Sequence, residues 1–442
     1  MRDKYNILKE VDWLLVGLYF LLVSMGLSNI YSAVYSEEHP LIFDLSMEYG
    51  KQVMWIGISI FIGFVIMLLD ASFIKKNAYW VYGVTMVLLV LVLFTSPING
   101  ARSWFGIGSV GIQPSEFAKI GISMALAKYV SELGSNFSEL QSKFRIAIIL
   151  GIPAILVLLQ PDAGTFIIFV SFVLMLYREG LSGNIILFGI VAIIVAVVTL
   201  TLADGSFFLP FTKIKMTGKF GIFLFIILLS GLFAVVVRQF VLPRNRKSLY
   251  RAIIGGFIVS IIFVNFVEVG YSNILQSHQK ERIDLLLGKI VDPDGKGYNI
   301  NRSKAAIGSG GFIGKGYMNS KLANASQRHV PMQSTDFIFC TWSEERGFLG
   351  STFLILLYLA LLLKIISIAE RQRSRFTRIY AYSVAGIFFF HILINIGMAV
   401  GLAPVIGIPL PFFSYGGSSM MSFSVLIFTL IKLDSERKNM LK

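Results

Sequence analysis

The chain is dominated by apolar runs about as long as a membrane is thick. A hydrocarbon core of about 30 Å needs about 20 apolar residues in helical form. Charged residues make up only 14% of the 442 residues, against about 25% in soluble domains. We therefore expect an all-α polytopic membrane protein, with residues 1–442 forming a single integral membrane domain. The predicted spans are 13–33, 53–69, 79–95, 115–131, 146–160, 164–177, 185–203, 220–238, 252–268, 337–363, 379–401 and 412–432.

The distribution of lysine and arginine predicts the orientation. With the N-terminus in the cytoplasm, every later segment on that side is basic, whereas the first segment on the other side, 36–50, is acidic. The exception is 212–219, which places three lysines outside. Cytoplasmic loops of membrane proteins are enriched in Lys and Arg. Both termini are therefore expected in the cytoplasm, and a large loop at about 269–336 is expected to be extracellular.

Composition also excludes several classes of function. The net charge of +14 resides mainly in short loops between spans, which is a topology signal and not a nucleic-acid surface. A single cysteine, Cys340, leaves no internal disulfide and no cysteine-based metal site. The four histidines show no metal-ligand spacing, and the chain has no P-loop, HExxH or dinucleotide fingerprint. We expect no organic cofactor and no nucleic-acid partner.

The stretch 99–121 places ionisable residues at the start of an apolar span. Pro114 is typical of a first helical turn, and Glu116 and Lys119 lie three residues apart on one face of that helix. Two interpretations stay open. The residues form a structural ion pair, or they line a polar cavity that contacts an anionic substrate, with Arg102 at its rim.

Two aspartates interrupt the apolar pattern elsewhere. Asp162 follows Pro161 in 158–166 and suits a tight turn. Asp336 ends a long polar stretch, just before the apolar run that opens at Phe337. A carboxylate there either caps a helix, together with Ser334 or Thr335 as N-cap, or does chemistry at the membrane surface.

A third unusual segment, 401–421, contains three prolines and four glycines between two spans. Irregular backbone at membrane depth persists only where it is buried in protein or faces a wet cavity. We expect this segment to line a cavity and to supply shape instead of chemistry, because its residues are mainly apolar.

These stretches together resemble the SEDS (shape, elongation, division and sporulation) family, and "GIPLPFFSYGGSS" resembles its cell-elongation branch. The matching pieces cover most of the chain and include "NGARSWFGIGSVGIQPSEFAKI", "LQPDAGT", "SKAAIGSGGFIGKG" and "STDFIFCTWSEERGFLG". Two departures stand out. Met332 replaces a usual glutamate, and twelve spans are predicted where the family usually has ten. The excess is assigned to an inserted helical pair at about 204–250.

The resemblance implies a peptidoglycan glycosyltransferase that polymerises lipid II into glycan strands during cell elongation and rod-shape maintenance. It makes Asp336 the essential carboxylate, which is expected to act as general base for inverting transfer. It also implies substrate contacts. A divalent cation, Mg or Mn, is one candidate for balancing the charge of the substrate pyrophosphate. The implied substrate-binding residues are Arg102, Trp104, Gln113, Ser115, Glu116, Lys119 and Asp162.

The expected location is a bacterial cytoplasmic (inner) membrane with the active face external. Expected partners are the lipid II substrate, a class B penicillin-binding protein acting as transpeptidase, and other elongation-complex membrane proteins. Small residues at 397–403 are a predicted docking site for the membrane anchor of that transpeptidase. Two other functions stay open: a lipid II transporter (flippase), or a non-catalytic scaffold for a penicillin-binding protein. An enzyme needs its indispensable acid at the outer surface, whereas a transporter needs polar groups spread through its spans.

Overall fold

The computed structural model describes residues 10–97, 101–107, 110–132, 139–202, 205–208, 215–274, 277–287, 289, 298–320, 322 and 332–437. The first half contains, in chain order, α1 Trp13–Val34, α2 Glu48–Leu68, α3 Ala71–Lys76, α4 Ala78–Val92, β1 Phe105–Ile107, β2 Val110–Ile112, α5 Pro114–Glu132, α6 Leu140–Leu159, α7 Ala163–Phe169 and α8 Ser171–Arg178. The second half contains α9 Gly183–Leu202, β3 Ser206–Phe208, β4 Lys215–Thr217, α10 Gly218–Phe240, α11 Pro243–Val269, a π-helical turn Gly270–Ile274, α12 Ser277–Leu286, α13 Tyr298–Ser309, α14 Ile338–Glu370, α15 Arg375–Val400 and α16 Gly417–Ser435.

The helices confirm an all-α multi-pass membrane protein. Within the described residues, nine helices are long and apolar enough to cross a membrane, and α4 and the α7–α8 pair are shorter apolar helices. The remaining predicted span is α5, whose charged residues lower its hydropathy. Each of the twelve predicted spans therefore overlaps helix. The two small antiparallel hairpins, β1–β2 and β3–β4, are connections between helices.

The chain divides into two compact units. The first unit comprises Met1–Leu181 and Gly297–Lys442, and the second comprises Ser182–Lys296. Helices α9, α10 and α11 belong to the second unit and pack on one another. The prediction of one membrane domain, and of an inserted pair at about 204–250 relative to the family, stays a prediction. Residues 203–204 and 209–214 of that region lie outside the described residues.

Small residues let helices of the first unit approach closely. A Cβ atom added to Gly63 of α2 would lie 2.4 Å from the Phe428 ring of α16. One added to Gly121 of α5 would lie 2.3 Å from Oγ1 of Thr85 in α4. Without a hydrophobic force between helices in lipid, such close packing is a main source of association. These contacts place α5 and α16 in the interior of the unit.

An ion-pair cluster ties three helices of the first unit at one end. Asp12, the N-cap of α1, accepts hydrogen bonds from Lys364 at 2.8 Å and from Arg371 at 2.7 Å. Arg371 also donates to Asp434 of α16 at 3.0 Å. Burial raises the pKa of Asp12, but the hydrogen bonds from Lys364 and Arg371 outweigh burial, so its pKa is lowered. The charged form of Asp12 is therefore favoured where it joins α1 to α14.

The predicted extracellular loop at about 269–336 contains helices. It includes the π-helical turn, α12 and α13, while residues 275–276, 288, 290–297, 321 and 323–331 lie outside the described residues. Helix α13 belongs to the first unit and packs on α14 and α15. There the hydroxyl of Ser303 donates to the carbonyl of Ala399 at 2.5 Å and lies 2.8 Å from Sγ of the buried Cys340.

Candidate active site

Asp336 lies in a turn, residues 332–337, that leads into α14. The helix begins at Ile338, and its N-cap is Phe337, which makes no side-chain capping hydrogen bond. Asp336 therefore precedes the N-cap. The prediction that Ser334 or Thr335 caps this helix is wrong. The hydroxyl of Thr335 instead donates to the carbonyl of Met332 at 3.3 Å.

Met332, the residue that departs from the family pattern, begins this turn in a left-handed conformation. Its φ is +55° and its side chain is exposed. Its carbonyl accepts hydrogen bonds from the N–H groups of Thr335 and Phe337, each at 3.2 Å. Non-glycine residues adopt positive φ uncommonly, so the Asp336 turn has a defined and somewhat strained shape at its first residue.

The Asp336 turn is pinned to the α15–α16 loop, residues 401–416. The N–H of Tyr415 donates to the carbonyl of Ser334 at 2.8 Å, and the hydroxyl of Ser414 donates to the carbonyl of Thr335 at 2.6 Å. The same Ser414 hydroxyl accepts from the N–H of Leu410 at 2.9 Å. Backbone groups of the turn are thus satisfied by the loop, which fixes where the turn lies.

The loop also borders Asp336 itself. The side-chain amide of Asn395 in α15 donates to the carbonyl of Asp336 at 2.9 Å and to that of Ile408 at 2.7 Å. A Cβ atom added to Gly407 would lie 3.6 Å from Oδ2 of Asp336. Asp336 is half-buried. The α15–α16 loop therefore shapes the surroundings of this carboxylate, whereas the prediction that 401–421 lines a cavity stays a prediction.

Asp162 forms a second polar cluster with residues of the α5 start. It is the N-cap of α7 and accepts from the N–H of Thr165 at 3.0 Å. Its Oδ2 accepts from the side-chain amide of Gln113 and the hydroxyl of Ser115, each at 2.9 Å. The Thr165 hydroxyl adds a further hydrogen bond at 2.8 Å. The structure brings together three predicted site residues, and their polar groups satisfy one another.

The Asp162 cluster packs on the same α15–α16 loop. A Cβ atom added to Gly164 would lie 2.8 Å from the carbonyl oxygen of Ile406 and 3.2 Å from the Ile408 side chain. The backbone N–H of Gln113 donates a hydrogen bond to the hydroxyl of Ser418 in α16 at 2.9 Å. Residues 406–408 therefore lie between the Asp162 cluster on one side and Asp336 on the other.

Glu116 and Lys119 form the predicted ion pair, and a histidine joins it. The Lys119 ammonium donates to Oε2 of Glu116 at 2.7 Å and lies 2.9 Å from Nε2 of His391. The side chains of Lys119 and Glu116 are 0% and 5% exposed. Because both are enclosed by protein, the structure favours the structural ion pair, and contact with substrate stays a prediction.

His391 links this pair to the α15–α16 loop. Its Nδ1 lies 3.1 Å from the carbonyl of Pro409. A carbonyl only accepts, so Nδ1 carries the proton and Nε2 accepts from Lys119. Sequence reasoning missed His391, because its partners are 272 positions away in Lys119 and 18 away in Pro409, with no local pattern.

Arg102 and Trp104 lie beside the β1–β2 hairpin and are both exposed. The guanidinium of Arg102 lies 3.4 Å from the carbonyl of Leu93, and the Trp104 ring lies over Gly111, where a Cβ atom would be 2.9 Å away. In the described part of the chain no contact joins either residue to Asp336. Their role as substrate contacts stays a prediction.

A buried acidic pair, Glu344 and Glu345, was also missed. Both residues lie in α14 and are buried, with exposed fractions of 0% and 1%. Glu344 accepts from the Lys315 ammonium at 2.5 Å and from the N–H of Leu322 at 3.1 Å. Glu345 accepts from the Ser32 hydroxyl and from the N–H of Met318 at 3.1 Å. The sequence signal that could have identified this pair is the presence of two adjacent acids in an apolar helix.

The glycine-rich segment 308–320 packs on these acids through backbone contacts. The α14 backbone breaks at Gly347, whose φ of +64° favours glycine. Cβ atoms added to Gly310, Gly314 and Gly347 would each lie 2.2–2.4 Å from backbone atoms of the opposing segment. The glycines therefore serve close packing, and the acidic pair holds the segment to α14.

Acidic and histidine side chains that could hold the predicted divalent cation lie apart from one another or in pairs. Among the residues described, no three His, Cys, Asp or Glu side chains converge.

The fold and these contacts define a class, a multi-pass membrane protein with polar clusters gathered around one irregular loop. The chain belongs to the FtsW/RodA/SpoVE family, described as cell cycle proteins, whose profile matches residues 12–213 and 222–439.

Relatives and solved structures agree with this family. The chain is 33% identical to the peptidoglycan glycosyltransferase RodA of Treponema pallidum (strain Nichols), over 97% of this chain and 98% of the relative. It is 29% identical to the peptidoglycan glycosyltransferase MrdB of Escherichia coli (strain K12), over 86% and 85%. Its fold is similar to a chain in the structure of a peptidoglycan synthase complex that coordinates polymerization and crosslinking, with TM-score 0.65, 24% identity and coverage of 97% and 98%.

Proposed function

We infer that the protein is a peptidoglycan glycosyltransferase that polymerises lipid II, with Asp336 as general base. The activity is that of its named relatives. The observation that carries the residue assignment is the placement of Asp336 on a defined turn at the start of α14, beside Gly407 and only half-buried. Glu116, Glu344 and Glu345, in contrast, are fully enclosed by protein.

In the proposed reaction Asp336 removes the proton from a sugar 4-hydroxyl of the acceptor. The freed oxygen attacks the anomeric carbon of the donor, so a C–O bond forms as the bond from that carbon to the pyrophosphate oxygen breaks. Undecaprenyl pyrophosphate leaves with the electron pair, the configuration inverts, and the proton passes from Asp336 to water. A positioned base of this kind contributes about 10²–10⁴-fold to rate.

The α15–α16 loop supports this step by positioning. It holds the carbonyls of Ser334 and Thr335, and Asn395 holds that of Asp336. The Asp162 cluster and His391 brace the other side of the loop. We assign these groups to orientation of the base. Arg102, which is exposed, is proposed to meet the negative charge of the leaving group.

A divalent cation, Mg²⁺ or Mn²⁺, is proposed at the pyrophosphate. Because three protein ligands do not converge in the described residues, the substrate phosphates would supply most of its coordination, as is common for Mg²⁺. None of the proposed reaction steps depends on this cation.

We further propose that both termini are cytoplasmic and that Asp336 faces outward, in the cytoplasmic membrane. The basic segments on the N-terminal side support this orientation. A class B penicillin-binding protein remains the proposed partner, together with other elongation-complex membrane proteins. Docking at 397–403 is not supported, because Gly401 ends α15 and faces the Lys304 side chain, while Gly397 faces Ala403.

The decisive experiment is polymerisation of lipid II by the purified full-length protein in detergent, with and without a partner transpeptidase. Wild type should form polymer, and Asp336→Asn should reduce the rate by at least about 100-fold. Glu37→Gln, an exposed acid, is the matched control and should retain wild-type rate. A transporter or scaffold makes no polymer in detergent. Polymerisation by Asp336→Asn at near wild-type rate would contradict the role of Asp336.

A further inference from the structure

One turn of α1 contacts the chain on both sides of Asp336. The side-chain amide of Asn29 donates to the carbonyl of Ile338 at 3.1 Å, where α14 begins. Four residues later in α1, the carbonyl of Ala33 accepts from the side-chain amide of Gln333 at 3.2 Å. Residues four apart lie on the same face of a helix. A single face of α1 therefore holds the Asp336 turn near its start and just after its end.

Both of these amide side chains are enclosed by protein. Asn29 is 1% exposed and Gln333 is 8% exposed, so neither is placed to contact a substrate. Only the nitrogen end of an amide can donate to a carbonyl, so the contact with Ile338 fixes the orientation of the Asn29 amide. Among the described residues, none donates a hydrogen bond to Oδ1 of Asn29. The side chain of Asn29 therefore acts on its surroundings through its contact with the α14 backbone.

The contact made by Asn29 is not required to form either helix. Ile338 is the first residue of α14, so its carbonyl also accepts the helical hydrogen bond from the N–H four residues later. The Ser32 hydroxyl of α1 donates separately to Glu345 and joins the same two helices. The Asn29 hydrogen bond therefore contributes mainly to position, and the backbone that it positions is two residues from Asp336.

We propose that Asn29 is a positioning residue, which sets where Asp336 stands relative to the bound acceptor sugar. The inference rests on the proposed function, in which Asp336 is the general base. Asn395 holds the carbonyl of Asp336 from α15, while Asn29 holds the chain two residues later from α1. The base is thereby located from two helices at once. A misplacement of about 1 Å can cost about 10²-fold in rate, so a contact remote from the substrate can affect the reaction.

The test compares Asn29→Leu with Tyr380→Phe in the full-length protein in detergent. Each variant removes one buried hydrogen bond to a carbonyl of another helix, because the Tyr380 hydroxyl donates to the carbonyl of Leu426 in α16 at 3.3 Å. Polymerisation rates are measured against lipid II concentration, together with thermal unfolding midpoints. Asn29→Leu should lower kcat by about tenfold, with KM and the unfolding midpoint near wild type. Tyr380→Phe should keep the wild-type kcat.

Hydrogen–deuterium exchange of residues 332–338 gives a second readout that does not depend on catalysis. Exchange there should be faster in Asn29→Leu than in wild type, and unchanged in Tyr380→Phe. Gln333→Leu removes the other contact with α1 and should show the same faster exchange and lower kcat. Two variants at different places in the chain therefore test one anchor.

Four outcomes would count against the inference. Wild-type exchange in both Asn29→Leu and Gln333→Leu would overturn the anchor, whatever their activity. Faster exchange with wild-type kcat would overturn its role in positioning the base. A fall in the unfolding midpoint that accounts for the loss of kcat would make Asn29 a structural residue. If the wild type itself forms no polymer, the proposed function fails and takes the role of Asn29 with it, while exchange still reports the anchor.

Discussion

The Glu116–Lys119 pair of the first unit and the Lys219–Glu268 pair of the second have the same chemistry in opposite surroundings. The side chains of Glu116 and Lys119 are 5% and 0% exposed, and those of Lys219 and Glu268 are 32% and 43% exposed. His391 and the Phe423 ring complete the surroundings of Lys119. Removal of one partner from a buried pair destabilises a protein far more than removal of one partner from an exposed pair. The comparison separates a pair that holds the fold from one that lies on its surface.

The same contrast extends to whole helices. In the apolar window of α16, 89% of the residues are buried in protein, against 6% in α9 and 6% in α11. Polar groups of the first unit are accordingly hydrogen-bonded between helices, as in the Ser422 hydroxyl that donates to the carbonyl of Glu116 at 2.6 Å. The first unit is organised by polar contacts between spans, whereas the second relies on apolar contact.

The largest effect is expected from Glu116→Ala. Loss of the carboxylate leaves the Lys119 charge without its ion-pair partner inside protein, at about 3–5 kcal/mol. The thermal unfolding midpoint in detergent should fall sharply. The double variant with Lys119→Ala should recover much of this loss. Recovered stability and activity together would make the pair a packing element, whereas recovered stability without polymerisation would return it to the substrate site.

The second-largest loss of stability is expected from Gly347→Ala. It imposes a positive φ on a residue with a Cβ atom, at about 1–3 kcal/mol, and adds a contact of 2.4 Å to the backbone N of Gly314. Thermal unfolding checks the effect against Gly57→Ala, where the added Cβ meets no atom within 4 Å. Equal stability of the two variants would mean that the break in α14 does not depend on glycine.

Asp162→Ala should have a smaller effect, about 0.5–2 kcal/mol, because it removes the N-cap of α7. Asp162→Ser keeps a capping oxygen and should be nearer wild type. Unfolding midpoints and lipid II polymerisation rates are measured for both variants. If polymerisation falls in Asp162→Ser while stability holds, Asp162 acts in the reaction beyond helix capping, either by orienting the loop beside Asp336 or by contacting substrate, as the family resemblance implies.

The smallest effect is expected from Glu268→Ala in the second unit. Exposed pairs contribute about 0–1 kcal/mol, so its unfolding midpoint should stay close to wild type and rise or fall little with salt. A loss as large as that of Glu116→Ala would erase the contrast between the two units.

The sequence predicted the spans well and their ends less well. The prediction 13–33 matches Trp13–Val34, but 252–268 begins nine residues late because α11 starts at Pro243. Hydropathy detects the part of a helix inside lipid, whereas the backbone continues through the basic turns beyond it. The prediction 412–432 begins early, because apolar loop residues before Gly417 have the same composition as a span.

The site was predicted in part. Motif residues Gln113, Ser115 and Asp162 do converge, and Glu116 does pair with Lys119. Contacts between distant segments carry no local pattern. His391 with Lys119, and Glu344 with Lys315, therefore required the structure.

Cys340, buried beside Ser303, has a practical consequence for measurement. It is the chain's one cysteine and its side chain is 0% exposed, so the natural protein is already a background for thiol-directed labels. Single cysteines at the exposed positions Glu38 and Ser248 would accept spin labels or fluorophores without prior replacement of Cys340. Distances between such labels would report how the first and second units are arranged, in detergent and in lipid, with an otherwise natural chain.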